Sequence, residues 1–371
     1  MQIPFLNLKA QNASIWNEIQ ASLEPVMREA QFVLGPGVER FEANFARYVG
    51  VKHCVGLNNG TSALQMALIA CEIGADAEVI TTPATWISTS WALSYVGAKP
   101  VYVDIDPVTY TLDPALIEKA ITPRTRAILP VHLYGQTADL APMQAIAAER
   151  GLVLIEDAAQ AHGAYYRGQR VGGIGRVGCF SFYPGKNLGC FGEGGCIVTN
   201  DDAIAQRVRS LRDHAQKARH QHVEIGFNAR MEGVQGAVLD AKLPHLDGWN
   251  AGRRRNARRY RELLGDLPNV VLPAARADEG HVWHIFSVLL KDRPREQVQR
   301  ALAERGIGTS IHYPTLVPFQ PAYAYLRHRP GDFPIAERLF ANCLSLPMFP
   351  ELTEEQITYV ADAFRACVAP A

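Results

Sequence analysis

Three short stretches of this 371-residue chain carry side chains that could act together on one ligand. Lys186 lies in a turn rich in Gly and Asn directly after an apolar run, so we expect burial to lower its pKa and leave a nucleophilic amine. Asp157 follows another apolar run, and its carboxylate could hold a ring nitrogen in the protonated form. The polar turn at 59–62 precedes a predicted helix, and the N–H groups that begin a helix bind phosphate well.

Each of these features also has an ordinary structural interpretation. Asp157 could cap a following helix, Lys186 could be a structural lysine, and the turn at 59–62 could be a plain helix start. A lysine, an acid and a phosphate cradle at the strand ends of one α/β domain are nevertheless the groups that a pyridoxal 5′-phosphate (PLP) site requires. Their combination therefore favours a PLP enzyme.

The elements that must position these residues are predicted from the hydrophobic pattern. Short β-branched runs without strict alternation are typical of strands buried on both faces, and they occur at 78–82, 100–104, 126–132, 152–156, 179–183 and 195–199. Helical spacing occurs at 15–29 and 36–49 and, between the strand runs, at 61–70, 87–96, 114–120 and 141–150. This alternation predicts an α/β fold with a mostly parallel central sheet and helices on both faces.

The pattern changes near residue 250, where a strongly basic helix begins that ends near Gly265. The predicted elements beyond it are a strand at 284–290, a helix at 295–305, a Pro-rich loop at 313–321 and a final helix after the capping signal at Thr353. We therefore predict a large domain at 1–245, whose first residues (about 15) form an arm, and a smaller α+β domain at 246–371.

The composition is typical of a globular enzyme, and it limits the classes of partner that we expect. Lys and Arg together number 37, as do Asp and Glu, so no global positive field favours nucleic acid. The seven cysteines are scattered without a C-x-x-C pair, so neither a disulfide framework nor a metal site is expected. We find no signal-peptide pattern and no bilayer-spanning apolar run, and we predict a cytoplasmic protein without a membrane partner.

Long motifs, in the same order along essentially the whole chain, resemble those of the DegT/DnrJ/EryC1/StrS sugar aminotransferases, which are PLP enzymes of the aspartate aminotransferase fold (fold type I). The motifs that carry this resemblance are Pro4-Phe-Leu-Asn-Leu, Asn59-Gly-Thr-Ser-Ala-Leu, Val131-His-Leu-Tyr-Gly-Gln, Glu156-Asp-Ala-Ala-Gln-Ala-His-Gly-Ala, Phe180-Ser-Phe-Tyr-Pro-Gly-Lys-Asn-Leu-Gly, Gly192-Glu-Gly-Gly, Gly226-Phe-Asn-Ala-Arg-Met and His312-Tyr-Pro.

The resemblance implies a role for each matching residue. Lys186 would bond covalently to PLP, Asp157 would pair with the pyridine nitrogen, and Gln160 would bond the 3′ oxygen. Trp86 would stack on the cofactor ring, and Asn228 would reach the phosphate from the other subunit of a homodimer. The remaining residues expected at the phosphate are Gly60, Thr61, Ser62 and Ser181. The residues expected to face the substrate are Tyr183, His312, Tyr313 and, from the neighbouring subunit, Arg230.

The reaction implied by the resemblance moves an amino group from L-glutamate to a nucleotide-linked (dTDP-, UDP- or GDP-) keto-deoxy sugar. The product would be an amino sugar of a surface polysaccharide or a glycosylated natural product. The motif at 131–136 and the Asn-x-Arg form at Asn228 are similar to relatives that aminate C3, whereas 192–195 is equally similar to C4 enzymes, and we favour C3. The loop at 315–319 lacks the histidine that the family often has there, which leaves its substrate contacts open.

Several alternatives remain at this stage. Residues 173–178 match G-x-G-x-x-G, the fingerprint of an NAD-dependent oxidoreductase, but they lead into a predicted strand rather than a helix. Relatives that dehydrate sugars have histidine in place of Lys186, and a non-catalytic sugar-responsive regulator would not need the lysine at all. His132 could be catalytic or simply packed, and for the arginines of 253–261 we favour a solvated helix face over a nucleotide contact.

Overall fold

The structure is a computed structural model that describes residues 1–276 and 280–369. Its helices are α1 Leu8–Ser14, α2 Trp16–Arg28, α3 Pro36–Val49, α4 Gly60–Ala70, α5 Ser88–Tyr95, α6 Leu140–Arg150, α7 Asp202–Arg212, α8 Gly233–Lys242, α9 Leu246–Leu264, α10 Arg295–Glu304, α11 Pro334–Asn342 and α12 Glu354–Val368. Its strands are β1 His53–Leu57, β2 Glu78–Thr81, β3 Lys99–Tyr102, β4 Thr125–Leu129, β5 Val153–Asp157, β6 Tyr165–Tyr166, β7 Gln169–Arg170, β8 Val177–Ser181, β9 Gly195–Thr199, β10 Gln216–Ala218, β11 Gln221–His222, β12 Val270–Val271, β13 Phe286–Leu290 and β14 Cys343–Leu346.

A seven-stranded sheet in the order β1-β9-β8-β5-β4-β2-β3 lies at the centre of the fold. Strands β8, β5, β4, β2 and β3 pair in parallel, and β9 runs antiparallel to both of its neighbours. Successive residues of a strand pack into different apolar clusters, one on each face of the sheet. Leu154 of β5 packs in one of these clusters, and Ile155 packs in the other. Helices therefore cover both faces, which confirms the predicted mostly parallel α/β sheet.

Aromatic packing fixes the path of β8, the strand that leads to Lys186. Phe45 of α3 meets Phe180 edge-on, with ring centroids 5.1 Å apart and an interplanar angle of 88°. Phe41 makes a similar contact with Phe182 at 5.2 Å and 84°. Edge-to-face pairs of this kind stabilise by about 0.5–1.5 kcal/mol beyond their buried area. The lysine turn thus starts from a rigid strand end.

Two local predictions are corrected by the structure. The predicted helix at 114–120 is instead a pair of 3-10 turns, Pro114–Leu116 and Glu118–Ala120, because this stretch buries little more than Ile117 and so lacks the apolar face of a helix. Strand β1 is absent from the predictions, since its sequence, His-Cys-Val-Gly-Leu, does not form a β-branched run.

The C-terminal part of the chain contains an antiparallel sheet in the order β12-β13-β14, against which α9, α10 and α12 supply apolar residues. Ile3 joins this cluster and pairs with Ile307, so the N-terminal arm lies against the C-terminal part. The predicted boundary at 245/246 stays a prediction, and within the predicted small domain residues 277–279 and 370–371 lie outside the described residues. Across 1–276 and 280–369, no helix is both long and apolar enough to span a membrane.

The solvated face predicted for the basic helix is wrong at one position. Arg253 is fully buried, and its guanidinium donates hydrogen bonds to the main-chain oxygens of Trp283, His284 and Met348, the last at 2.8 Å. Burial lowers the pKa of Arg253 to about 10. This arginine ties α9 to the segments on either side of the C-terminal sheet.

The glycine-rich stretch at 173–178 wraps a buried carboxylate. Glu156 accepts hydrogen bonds from the main-chain N–H groups of Gly172 (2.7 Å), Ile174 (2.8 Å) and Gly175 (2.6 Å). A Cβ on Gly178 would lie 2.2 Å from the oxygen of Gly172, so the close approach requires glycine. Because these N–H groups are occupied and the segment opens β8 rather than a helix, the dinucleotide alternative is wrong.

His132 completes the surroundings of this carboxylate. Its Nδ1 accepts a hydrogen bond from the N–H of Ala138 at 3.1 Å, so in the neutral ring Nε2 carries the proton and donates to Glu156 at 3.1 Å. Both ring nitrogens therefore have partners within the core, which favours the packed interpretation of His132 over a catalytic one.

We predict that Glu156→Gln destabilises the fold by about 1–3 kcal/mol. The new amide nitrogen would face the N–H groups of Gly172 and His132, donor against donor, and one buried negative charge would be lost. Urea unfolding of the cofactor-free protein measures this loss. Glu149→Gln, at an exposed helical position, is the control and should change stability by less than about 0.5 kcal/mol. Equal stability of the two variants would contradict the structural role of Glu156.

Candidate PLP site

The predicted site residues gather at the edge of the sheet where the parallel strands end. Strand β5 ends at Asp157, and its neighbour β8 ends at Ser181, five residues before Lys186. Trp86 follows the end of β2, and Gly60 begins α4 just after β1. Ligands of open α/β sheets bind at this carboxyl edge.

The lysine turn is closed by its own main chain. The N–H of Cys190 donates to the oxygen of Phe182, and the N–H of Lys186 donates to the oxygen of Tyr183, both at 2.9 Å. A Cβ on Gly189 would lie 2.4 Å from the oxygen of Pro184, so the two sides of the turn are in contact. Burial lowers the pKa of Lys186 to about 8, although the charge of Asp157 acts in the opposite direction. At pH 7 roughly a tenth of the amine is therefore unprotonated, far more than for a lysine in water.

Asp157 is almost completely buried and held by two donors. Its Oδ2 accepts a hydrogen bond from the hydroxyl of Thr89 at 2.8 Å, and its Oδ1 accepts one from the N–H of Ala159 at 3.2 Å. Burial raises the pKa of this carboxyl, against the opposing effect of both hydrogen bonds. A turn rather than a helix follows Asp157, so the helix-cap alternative is wrong. A cationic partner would satisfy this carboxylate.

Gln160, Tyr313 and Trp86 come together beside these two groups. The Oε1 of Gln160 accepts a hydrogen bond from the N–H of Tyr134 at 2.7 Å, which fixes the amide so that its Nε2 donates to the hydroxyl of Tyr313 at 3.0 Å. The rings of Tyr313 and Trp86 lie 5.5 Å apart. Trp86 is 55% exposed, which leaves indole surface available for a ligand.

His312 precedes Tyr313 and is a neutral group. Its Nδ1 lies 2.9 Å from the hydroxyl of Ser345, and its ring stacks on Phe5 of the N-terminal arm at 5.6 Å. Burial, with a further contribution from the charge of Lys186, lowers the pKa of His312 to about 4.

The start of α4 forms the predicted phosphate cradle. Asn59 caps the helix by accepting a hydrogen bond from the N–H of Ser62 at 2.8 Å, and the hydroxyl of Thr61 donates to Ser88 at 2.9 Å. A Cβ on Gly60 would lie 2.6 Å from the Cβ of Ser181, so only glycine allows α4 to approach β8 this closely. The first N–H groups of a helix have no acceptor within the helix, which makes them available to an anion.

The chemical groups of these residues, and their order along the sheet edge, match the groups that PLP requires. The amine of Lys186 would hold its aldehyde carbon, the carboxylate of Asp157 its ring nitrogen, and the amide of Gln160 its 3′ oxygen. The helix start beside Ser181 would hold its phosphate. The buried carboxylate with a raised pKa is the feature that most clearly calls for a cationic ring nitrogen.

Three predicted residues make no side-chain hydrogen bond to these groups within the described part of the chain, although the main chain of Arg230 pairs with Leu57 at the end of β1. Asn228 is exposed and accepts a hydrogen bond from Arg230 at 2.9 Å, while Arg230 also pairs with Asp213 at 2.9 Å. Tyr183 is 55% exposed. Their surface position is compatible with sites shared between subunits, and their roles stay predictions.

Sequence reasoning missed three polar residues that hold the site. Thr89 supports Asp157, Asn187 follows Lys186 directly, and His284 hydrogen bonds to Asn187. The position of Asn187 next to the lysine was a usable signal, because a buried amide beside a reactive group needs several partners. Nothing in the sequence pairs His284 with it.

We predict that Lys186 of the cofactor-free protein is half-reactive toward an acylating reagent at about pH 8, because only the unprotonated amine reacts. Mass spectrometry of the Lys186 peptide after labelling across pH gives this midpoint, with N-acetyl-lysine amide as the reference amine. Asp157→Asn should move the midpoint to lower pH, since the carboxylate charge favours the ammonium form. A midpoint at about 10.4, as for a lysine in water, would contradict the burial of this amine.

Comparisons with known proteins identify the family of this chain. Residues 13–365 match the sequence profile of the DegT/DnrJ/EryC1/StrS aminotransferase family. The chain is 45% identical over 366 residues to a pleiotropic regulatory protein of Geobacillus stearothermophilus, covering 98% of this chain and 97% of that protein. It is also 45% identical over 364 residues to the dTDP-3-amino-3,4,6-trideoxy-alpha-D-glucose transaminase of Streptomyces venezuelae, covering 98% and 96%.

A solved structure is similar over the whole chain. The crystal structure of S. venezuelae DesV in complex with a ketimine intermediate has a TM-score of 0.96 and 45% identity, covering 100% of this chain and 99% of that chain. Its description as a ketimine complex agrees with the chemistry for which the lysine and carboxylate are suited. The chain is therefore a PLP-dependent aminotransferase and belongs to the DegT/DnrJ/EryC1/StrS aminotransferase family.

Proposed function

We propose that this enzyme transfers the amino group of L-glutamate to C3 of a nucleotide-linked 3-keto-deoxy sugar. The observation that carries the proposal is the placement of Lys186 and Asp157 at neighbouring strand ends, one with a lowered and the other with a raised pKa. A lysine that is partly unprotonated near neutral pH suits Schiff-base exchange and proton transfer at carbon. A product of this kind is an amino sugar for a surface polysaccharide or a glycosylated natural product.

The chain's own residues divide the work. When bound, PLP supplies an electron sink for the carbon from which a proton is removed. Asp157, fixed by Thr89, would keep the ring nitrogen protonated, and the amine of Lys186 would accept the proton that leaves the substrate carbon and return it. Gln160 and Trp86 would hold the ring, and the start of α4 would hold the phosphate.

The sugar nucleotide and the position of amination are inferred from similarity and from the exposed side chains. The name of the S. venezuelae relative specifies a dTDP sugar with its amino group at C3. The motif at 131–136 and the Asn-x-Arg form at Asn228 support the same position. Trp86 and Tyr183, each 55% exposed, offer rings against which a sugar or base can pack.

We also propose that two chains share their sites in a homodimer. Among the described residues, the side chains of Asn228 and Arg230 hydrogen bond to each other, and Arg230 also pairs with Asp213. From a neighbouring subunit, the amide would reach the phosphate and the guanidinium the sugar nucleotide. A protein that sediments as a monomer while fully active would contradict this part of the proposal.

A non-catalytic regulator is the second candidate, because the relative from G. stearothermophilus bears a regulatory name. The complete set of lysine, acid and phosphate cradle argues against it, since a protein that only binds a sugar needs no buried amine. Lys186 argues in the same way against a sugar dehydratase, in whose relatives histidine replaces the lysine.

We predict amino transfer when the PLP-loaded enzyme and L-glutamate are incubated with a panel of 3-keto and 4-keto dTDP-, UDP- and GDP-sugars. Mass spectrometry and NMR of the product should show an amino group at C3, with one 2-oxoglutarate formed per product. Lys186→Ala should lower the rate at least about 10²–10⁴-fold, and Lys52→Ala, at an exposed position, should not. Amination at C4 would contradict the assigned carbon, and no product with any sugar would contradict the substrate class.

A further inference from the structure

Two buried threonines are linked in series to the carboxyl group of Asp157. The hydroxyl of Thr89 donates a hydrogen bond to Oδ2 of Asp157 at 2.8 Å, and Oγ1 of Thr85 lies 2.9 Å from Oγ1 of Thr89. Thr85, Thr89 and Asp157 are 3%, 1% and 4% exposed, so little water reaches these contacts. The three side chains therefore form a continuous buried chain of hydrogen bonds.

The chemistry of these groups fixes the direction of the hydrogen bonds. A hydroxyl group carries one hydrogen, and a charged carboxyl group can only accept. Because the hydrogen of Thr89 goes to Asp157, the hydrogen between the two threonines must come from Thr85. Both hydroxyl hydrogens then have an acceptor. The chain is therefore fully satisfied when Asp157 is charged.

A protonated Asp157 would leave the same chain incomplete. The N–H of Ala159 donates to Oδ1, so the acid proton would lie on Oδ2 and be donated to Thr89. Thr89 would then donate to Thr85, whose own hydrogen would lose its acceptor, since Thr85 Oγ1 has no other hydrogen-bond partner among the described residues. An unpaired buried donor of this kind disfavours the protonated state by roughly 10–100-fold.

The other influences on Asp157 are consistent with a leading role for Thr89. Burial raises the pKa of Asp157, and the hydrogen bond from Thr89 is the largest of the influences that lower it. The titratable groups that also interact with this carboxyl are Lys186, His132, Cys179 and Tyr313. Burial raises the pKa of the thiol and of the phenol among them, so neither adds a negative charge.

We propose that Thr85 and Thr89 are positioning residues that donate in series toward Asp157 and thereby keep its carboxyl group charged before any cofactor binds. This inference rests on the proposed pairing of Asp157 with the pyridine nitrogen. A charged carboxyl group accepts the N–H of a protonated ring, whereas a neutral one would offer its own proton to the ring nitrogen. The two threonines flank Trp86, so one short segment would set both the charge opposite the ring nitrogen and the surface on which the ring stacks.

Three substitutions test this chain in the cofactor-free protein. Thr89→Val removes the donor to Asp157 and keeps the shape of the side chain, whereas Thr89→Ser keeps the donor. Thr85→Val removes only the outer donor. The readout is the pKa of Asp157, from the carbon-13 NMR shift of its side-chain carboxyl carbon in aspartate-labelled protein. The signal is identified by its loss in Asp157→Asn, and thermal melts check folding.

We expect Thr89→Val to bind the Asp157 proton about 10–100-fold more tightly than wild type, and Thr89→Ser to stay within about threefold of wild type. The effect of Thr85→Val should have the same direction but be smaller, about fivefold or less, because Thr89 still donates. Thr111→Val is the matched control, since it removes a hydrogen bond between two other buried threonines, Thr109 and Thr111. It should leave the proton affinity of Asp157 unchanged.

Several results would overturn the proposal. One is an unchanged proton affinity in Thr89→Val, and another is a larger effect in Thr85→Val than in Thr89→Val. A Thr89→Ser variant that behaves like Thr89→Val, or an equal effect in Thr111→Val, would show that packing rather than the hydroxyl chain acts on Asp157. None of these measurements uses cofactor, sugar or amino donor, so absence of amino transfer would count against the proposed function alone.

Discussion

This structure depends on one constraint: a lysine amine and a carboxylate are both buried away from water, near the ends of adjacent strands. Burial works against the charged form of both groups, lowering the pKa of Lys186 to about 8 and raising that of Asp157. Their attraction opposes both shifts, so neither group reaches the extreme that burial alone would impose. The amine of Lys186 is left close to a change of protonation state near neutral pH, which suits chemistry that moves a proton at carbon.

The surrounding fold maintains this arrangement with neighbouring polar clusters. Glu156, directly before Asp157, faces away from the PLP site and organises the loop at 173–178 that leads into β8. Asp157 is restrained by Thr89 from α5, and Asn187 ties the lysine turn to α9 and to the strand region after 281. Glu156 thus serves stability, and Asp157, the next residue of β5, serves the chemistry. This division is expected because successive side chains of a strand point to opposite faces of the sheet.

The sequence predicted the sheet and the reactive groups because both depend on local pattern. Buried parallel strands appear as short apolar runs, and Asp157 and Lys186 are recognisable as polar residues at the end of one such run and shortly after another. The 3-10 turns at 114–120 and strand β1 were missed because tertiary packing, rather than periodicity, decides those segments. The sequence indicated a solvated Arg253 because nothing near it in sequence predicts a buried partner. The main-chain oxygens that accept its hydrogen bonds belong to residues 283, 284 and 348.

The network of Asn187 could not have been read from sequence for the same reason. Its partners are 63, 95 and 97 residues away along the chain. Contacts between residues so far apart in sequence leave no periodic signal. The cofactor contacts, in contrast, were predicted from the resemblance to the family motifs. What the structure adds to the motif is therefore the direction of each hydrogen bond around the lysine.

The central claim, that Lys186 is the residue to which PLP bonds, has a direct test. The PLP-loaded protein is reduced with borohydride, digested, and its peptides are weighed by mass spectrometry. The account predicts that the reduced cofactor is found on the peptide that contains Lys186 and that Lys186→Arg carries none at any position. Cofactor fixed to another lysine, or amino transfer by a wild-type protein in which no lysine can be labelled, would contradict it.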